Sequence, residues 1–131
     1  MSAVRWCVAF AGLGGAVTVA MGAWASHASG GPQVQSWLET GARYGLWHSI
    51  ALLAVAALAA RSGGGRLLAL AGLAFGTGIV LFSGSLFLRA LTPLEWVAPA
   101  TPLGGLAFIL GWLLVAAHLS LIHISEPTRP Y

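Results

Sequence analysis

Leu67–Leu88, LLALAGLAFGTGIVLFSGSLFL, runs for 22 residues between Arg66 and Arg89 without a formal charge. At ~1.5 Å of rise per residue, a helix of this length crosses the roughly 30 Å hydrocarbon core of a bilayer. The stretch is apolar on every side and shows no period-2 alternation, which argues for a spanning helix and against a barrel strand. Hydrocarbon offers the backbone no water, so a crossing segment must satisfy its own N–H and C=O groups by being helical.

The same pattern repeats on both sides of this window. Residues 6–26 hold no formal charge, 17 residues separate Arg43 from Arg61, and 30 separate Glu95 from Glu126. Four helices are predicted, at about 4–26, 37–60, 67–89 and 102–120. The breaks carry turn chemistry: Ser29-Gly30-Gly31-Pro32, then Ser62-Gly63-Gly64-Gly65, then Pro93, Pro99 and Pro102. Connections this short favour antiparallel neighbours. The expected fold is all-α, a transmembrane four-helix up-down bundle forming one domain over residues 1–120, with both termini on one side. Ser36-Trp37-Leu38-Glu39 fits a capping box and predicts that the second helix starts there.

Composition agrees with a lipid solvent. Of 131 residues, 58% are hydrophobic and 7% charged, and the mean hydropathy is +0.86. A soluble domain carries about 25% charged residues, so a soluble globule and a disordered chain are excluded. The net charge of +3, from six Arg against three Glu, is too thin for a nucleic-acid-binding surface. The single cysteine, Cys7, excludes an internal disulfide framework and a cysteine-based zinc site. The predicted surroundings are the lipid bilayer. Arg5, Arg61 and Arg66 on one side, with Arg129 added only if the final residues are native, against Arg43 and Arg89 on the other predict both termini in the cytoplasm.

Both ends of the chain carry a second meaning. Arg5, the apolar run after it and Ala23-Trp24-Ala25 resemble a cleavable signal peptide. The length of that run, and Trp6 following Arg5 directly, favour a retained helix. Residues 121–131, LIHISEPTRPY, gain charge and two prolines abruptly. They read as a non-native peptide of the kind produced when a sequencing adapter is translated, the plainer alternative being a disordered tail.

Polar groups inside apolar windows need a reason, because each is costly in lipid. Glu39 and Arg43 stand four apart and can pair along one helix face. Tyr44 and His48 continue a stripe with Trp37 and Gly41. At about 100° per residue His48 lies roughly opposite Glu39, so a joint pocket needs groups from other helices, such as His27. The candidate polar site is therefore His27, Glu39, Arg43, Tyr44 and His48, against a plainer reading of an interfacial ion pair plus a histidine bonded to a neighbouring helix. His118 suits an interfacial place near the end of the fourth helix. No metal site is expected, since the histidines lie on separate segments without paired ligand spacing. Ser83-Gly84-Ser85 lies mid-helix rather than on a strand-to-helix elbow, so no hydrolase nucleophile is indicated. No cofactor and no catalytic residue are expected.

Small residues form a second pattern. Ala11, Gly15, Thr18 and Gly22 make one stripe, and Gly72, Gly76 and Ser83, with Gly84 and Ser85 beside them, make another; such stripes let helices approach closely in lipid. Trp6, Trp24, Trp37 and Trp96 fall near window ends as an interfacial belt requires, whereas Trp47 and Trp112 suit contacts inside the bundle.

Several of these stretches occur together in a known family. Gly22-Ala23-Trp24-Ala25-Ser26-His27-Ala28, Glu39-Thr40-Gly41-Ala42-Arg43-Tyr44-Gly45-Leu46-Trp47-His48, Leu81-Phe82-Ser83-Gly84-Ser85-Leu86 and Thr101-Pro102-Leu103-Gly104-Gly105 follow in family order. The chain resembles the domain of unknown function 423 family of YgdD-like small integral membrane proteins, over about residues 8–118. The resemblance implies a four-helix protein of the bacterial inner membrane with an uncleaved first helix, and it implies no activity. His27, Glu39, Arg43 and His48 match the family pattern; Gly45 and Trp47 replace its usual glutamine and second tyrosine. Two functions remain open. One is a non-enzymatic membrane bundle that self-associates or binds another membrane protein. The other is a transporter or channel component lined by Glu39, Arg43, His27 and His48.

Overall fold

The computed structural model describes residues 2–125. Its elements are α1 (Ser2–Ala25), α2 (Gly31–Ser62), α3 (Arg66–Gly78), a π-helical turn (Ile79–Ser83), α4 (Gly84–Leu91) and α5 (Ala100–Ser125). Four helical stretches are long and apolar enough to cross a membrane: Ala3–Ala25, Gly31–Ser62, Arg66–Leu91 and Ala100–Leu121. Among the described residues there is no strand. The fold is thus a transmembrane bundle of four antiparallel spans. The third span comprises α3, the π turn and α4.

Helix ends follow local chemistry, with one departure from the capping-box expectation. The second helix starts at Gly31, so Ser36 and Glu39 lie inside it, and no side chain caps its N-terminus. Pro32 sits in the first turn, where a missing N–H leaves nothing unsatisfied and the fixed φ is already helical. The helix therefore begins about a turn and a half before the polar pattern suggested. It ends at Gly63, whose φ of 80° is the left-handed conformation that closes many helices. Gly64 and Gly65 also have positive φ, so this tight connection needs glycine. At the far end of the third span, Thr92 returns its backbone N–H to Leu88 O. Pro102 falls in the first turn of α5, which continues through Ser125, past the expected end at 120. Residues 126–131 of the expected tail lie outside the described residues.

The helices are not arranged around a central lumen. The second helix packs along α1 on one side and the third span on the other, and the third span in turn packs on α5. The first and last helices occupy opposite corners. The main core cluster joins Ala11, Leu52, Val55, Leu68, Ala71, Phe75, Ile79 and Phe108. A second cluster, Ala25, Leu38, Ala42 and Phe87, fills the end nearer the α1–α2 turn. Large apolar side chains such as Leu13, Leu73, Ile109 and Leu113 remain exposed, as a lipid-facing surface requires.

The π turn aims the middle of the third span. Gly84 N–H bonds to Ile79 O, five residues back. The wider turn presents Ser83 to α2, where its hydroxyl donates to Gly41 O at 2.7 Å. Ser85 donates to Phe82 O and also meets the Thr101 hydroxyl of α5. Single π turns inside α-helices are frequent at functional sites.

Candidate functional site: a histidine in an aromatic cluster

His48 is buried on the inner face of α2, 5% exposed. Its Nδ1 lies 2.6 Å from Tyr44 O, one turn earlier. Trp112 of α5 donates its indole N–H to His48 Nε2 at 3.1 Å. An indole N–H can only donate, so Nε2 must accept, and the imidazole proton therefore sits on Nδ1 and is given to Tyr44 O. Both ring nitrogens are occupied in a neutral tautomer. Protonating Nε2 would break the link to α5.

Rings surround this pair. His48 stacks face to face on Phe108, with centroids 3.6 Å apart and planes 8° from parallel. Phe75 meets Trp112 edge-on at 5.0 Å, and Tyr44 lies 5.0 Å from Phe82. Phe75 is fully buried, and a Cβ on Gly111 would stand 2.6 Å from its ring. The cluster bridges α2, the third span and α5. On its lipid side it leaves a groove of about 850 Å³ along Tyr44, Trp47, Ile50, Phe82, Leu106 and Trp112.

The other polar candidates do not converge on His48. Glu39 is exposed and takes a hydrogen bond from Gln35 Nε2 at 3.2 Å, one turn before it. Arg43 is exposed on the same helix, and His27 is exposed in the α1–α2 turn. Tyr44 is the one that joins His48, through its carbonyl and by parallel rings 6.3 Å apart. Arg89 lies over the Trp37 ring, 4.3 Å from its centroid, a favourable cation–π arrangement. Among the described residues no group of three His, Cys, Asp or Glu could hold a metal ion.

The small residues divide by environment. On α1 the buried seam is Ala11, Thr18 and Ala25. A Cβ on Gly22 would touch Ala42 at 3.4 Å, and one on Gly14 would crowd Ser49 Oγ at 2.7 Å. On Gly15 it would meet nothing within 4 Å, and the same holds for Gly84. Gly72 faces Cys7 Sγ at 2.9 Å, whereas Gly76 makes only ordinary contact with Phe10 at 3.8 Å. Ser83 and Ser85 bridge helices as described. Ser49 Oγ is buried without a hydrogen-bond partner.

The sequence marks Trp112 as a contact inside the bundle but does not single out Phe75, Phe82 or Phe108. Phe75 and Phe82 stand seven apart on the third span, and Phe108 and Trp112 four apart on α5. Each pair shares a helix face, and that aromatic repeat was the available signal. The tight meeting of Gly104 with Phe82, where a Cβ would fall 2.7 Å from the Phe82 Cβ, had no comparable signal.

These features define a small polytopic helical membrane protein in which the buried imidazole of His48 joins two helices. Residues 21–105 match the family described as protein of unknown function (DUF423). The chain is 37% identical over 115 residues to UPF0382 inner membrane protein YgdD of Escherichia coli K12, covering 85% of this chain and 86% of that protein. It is 36% identical over 102 residues to UPF0382 membrane protein YwdK of Bacillus subtilis, covering 76% and 83%. With a UPF0382 membrane protein of Haemophilus influenzae the identity is 37% over 107 residues, covering 79% and 85%. No solved structure matches significantly. The chain belongs to the DUF423 family and is an inner membrane protein of a family without an assigned activity.

Proposed function

We propose that the protein is a non-enzymatic membrane bundle that works by lateral association, first of all with a second copy of itself. The observation that carries this is the outer face of α1. Gly12, Ala16 and Ala20 stand four apart on it, and all three are exposed. A Cβ on Gly12 would meet nothing within 4 Å. This stripe lies on the side of α1 opposite the seam with α2. In lipid, small residues at this spacing let two backbones approach closely enough for dispersion and weak hydrogen bonds to hold them. A twofold contact through α1 satisfies the geometry with one patch on each copy. Another membrane protein's helix is the second occupant this face fits.

Both termini are inferred to be cytoplasmic, from Arg5, Arg61 and Arg66 against Arg43 and Arg89. A polar lining gains no support from the placement of its residues, since His27, Glu39 and Arg43 are exposed and His48 is committed to Trp112.

The test is oxidative cross-linking in native membranes of an Ala16→Cys variant made in a Cys7→Ser background. A disulfide-linked dimer is expected, and Gly12→Leu is expected to abolish it. A protein that stays uncross-linked and runs as a monomer without partners on native gels overturns the proposal.

A further inference from the structure

The two ends of the bundle differ in charge. Arg89 lies over Trp37, and Glu39 and Glu95 share that end with Arg43. At the other end, Arg5, Arg61 and Arg66 are all exposed, and among the described residues that end carries no acid. Each is next in sequence to a residue that lines a trough: Arg5 to Val4, Arg61 to Ala60 and Arg66 to Gly65. Near the mouth, about 480 Å³ of open space lies among Val4, Val55, Ala59 and Gly63–Gly65. A further 480 Å³ continues between α1 and the third span, past Trp6, Phe10, Leu73 and Val80. Ala3, Cys7 and Ala69 line both parts, so the two adjoin along the lipid side. Gly72 keeps its floor shallow against Cys7.

Length and chemistry select the occupant. From Ala69 to Leu81 the trough follows the third span for about 18 Å at 1.5 Å per residue, close to the roughly 15 Å depth of one leaflet. Its walls are mostly apolar, and three arginines lie at the end where it opens, with no acidic side chain there among the described residues. A neutral apolar molecule would leave those cations unanswered. A free anion would leave the trough to be filled separately. A molecule with a phosphate at one end and an alkyl chain of leaflet length satisfies both.

We propose that the α1/α3 trough, with Arg5, Arg61 and Arg66 at its mouth, is a binding site for an anionic phospholipid. The phosphate sits beside the Gly63–Gly65 loop, where the first N–H groups of α3 have no side-chain cap. One acyl chain lies between Trp6 and Val80. The site is separate from the outer stripe of α1, so it stands whether or not the protein dimerises.

The probe is phosphatidylglycerol with brominated acyl chains, set against brominated phosphatidylcholine at equal mole fraction in bilayers containing the full-length protein. Tryptophan fluorescence is read, with Trp6→Phe isolating the Trp6 contribution. Trp6 is expected to be quenched preferentially by phosphatidylglycerol. Arg5→Gln, Arg61→Gln and Arg66→Gln should each lower the derived preference roughly fivefold or less, and together abolish it. Arg43→Gln with Arg89→Gln should leave it intact. Ala69→Leu, at an exposed wall position, should reduce Trp6 quenching by filling the trough. Equal quenching by the two lipids, a preference that survives the triple arginine variant, or quenching unaffected by Ala69→Leu overturns the proposal.

Discussion

The α1/α2 seam and the α2/α5 seam solve the same problem in opposite ways. Between α1 and α2 the backbones come close, because Gly14, Thr18 and Gly22 meet Ser49, Gly45 and Ala42 with almost no side chain between them. Between α2 and α5 the backbones stand apart, and the gap is spanned by His48, Phe108 and Trp112. Lipid tails are as apolar as leucine, so burial drives neither contact. One seam is held by dispersion between near-touching backbones. The other is held by stacked rings and a directed hydrogen bond. The first is sensitive to atoms added at Gly14 and Gly45, and the second to atoms lost.

The largest effect is expected where an atom is added to the close seam. Gly45→Leu would drive its Cβ into Thr18 Cγ2 and Ser83 Oγ. Overpacking of this kind costs about 3 kcal/mol at the upper end of its usual range, readable as a lowered unfolding free energy in mixed micelles. Gly12→Leu, on the outer face of α1, is the matched control and should leave monomer stability within about 1 kcal/mol. Equal effects from the two would mean that the α1/α2 approach is not as tight as described.

Next comes the wide seam. His48→Ala removes the stack on Phe108, a contact of about 0.5–1.5 kcal/mol, and a bond across helices of about 0.6–1.7 kcal/mol; roughly 2 kcal/mol of destabilisation is expected. Trp112→Phe keeps an aromatic ring but loses the bond and part of the indole's contact with Phe75. The double-mutant cycle between them should give a coupling of about 1 kcal/mol. Strict additivity would show that the histidine and the indole do not act as a pair.

Smaller still is Ser83→Ala. It deletes the hydroxyl donated to Gly41 O, worth about 0.6 kcal/mol for an average polar contact between membrane helices. A loss above about 2 kcal/mol would assign the π turn a larger part in joining α2 to the third span. Glu39→Gln and Arg43→Gln complete the series. Both side chains are exposed, and stability should change by under about 0.5 kcal/mol in each.

These contrasts show which parts of the site were legible in the sequence. That His48 and Glu39 face opposite ways follows from helical periodicity alone, and the burial of one and exposure of the other agree with it. The expected pairing of Glu39 with Arg43 gives way to a hydrogen bond from Gln35, four residues earlier on the same exposed face. The capping box at Ser36 was outweighed by Gly31-Pro32, which allows the helix to begin earlier. Gly14 rather than Gly15 holds the tight position on α1. A one-residue difference rotates a side chain by about 100°, more than a small-residue stripe can resolve without knowing where the neighbouring helix lies.

From the sequence alone came the solvent, the number of spans and their alternating direction. These depend on hydrophobic length and on turn residues, which are properties of consecutive positions. Tertiary structure alone decided that α1 and α5 sit at opposite corners rather than closing a ring. It also decided that His48 meets Trp112 across 64 positions of sequence, and that the troughs between helices open sideways to lipid. Those outcomes depend on which faces pack together. In a membrane every face is apolar, so the choice rests on shape and on a few polar contacts that no run of neighbouring residues encodes.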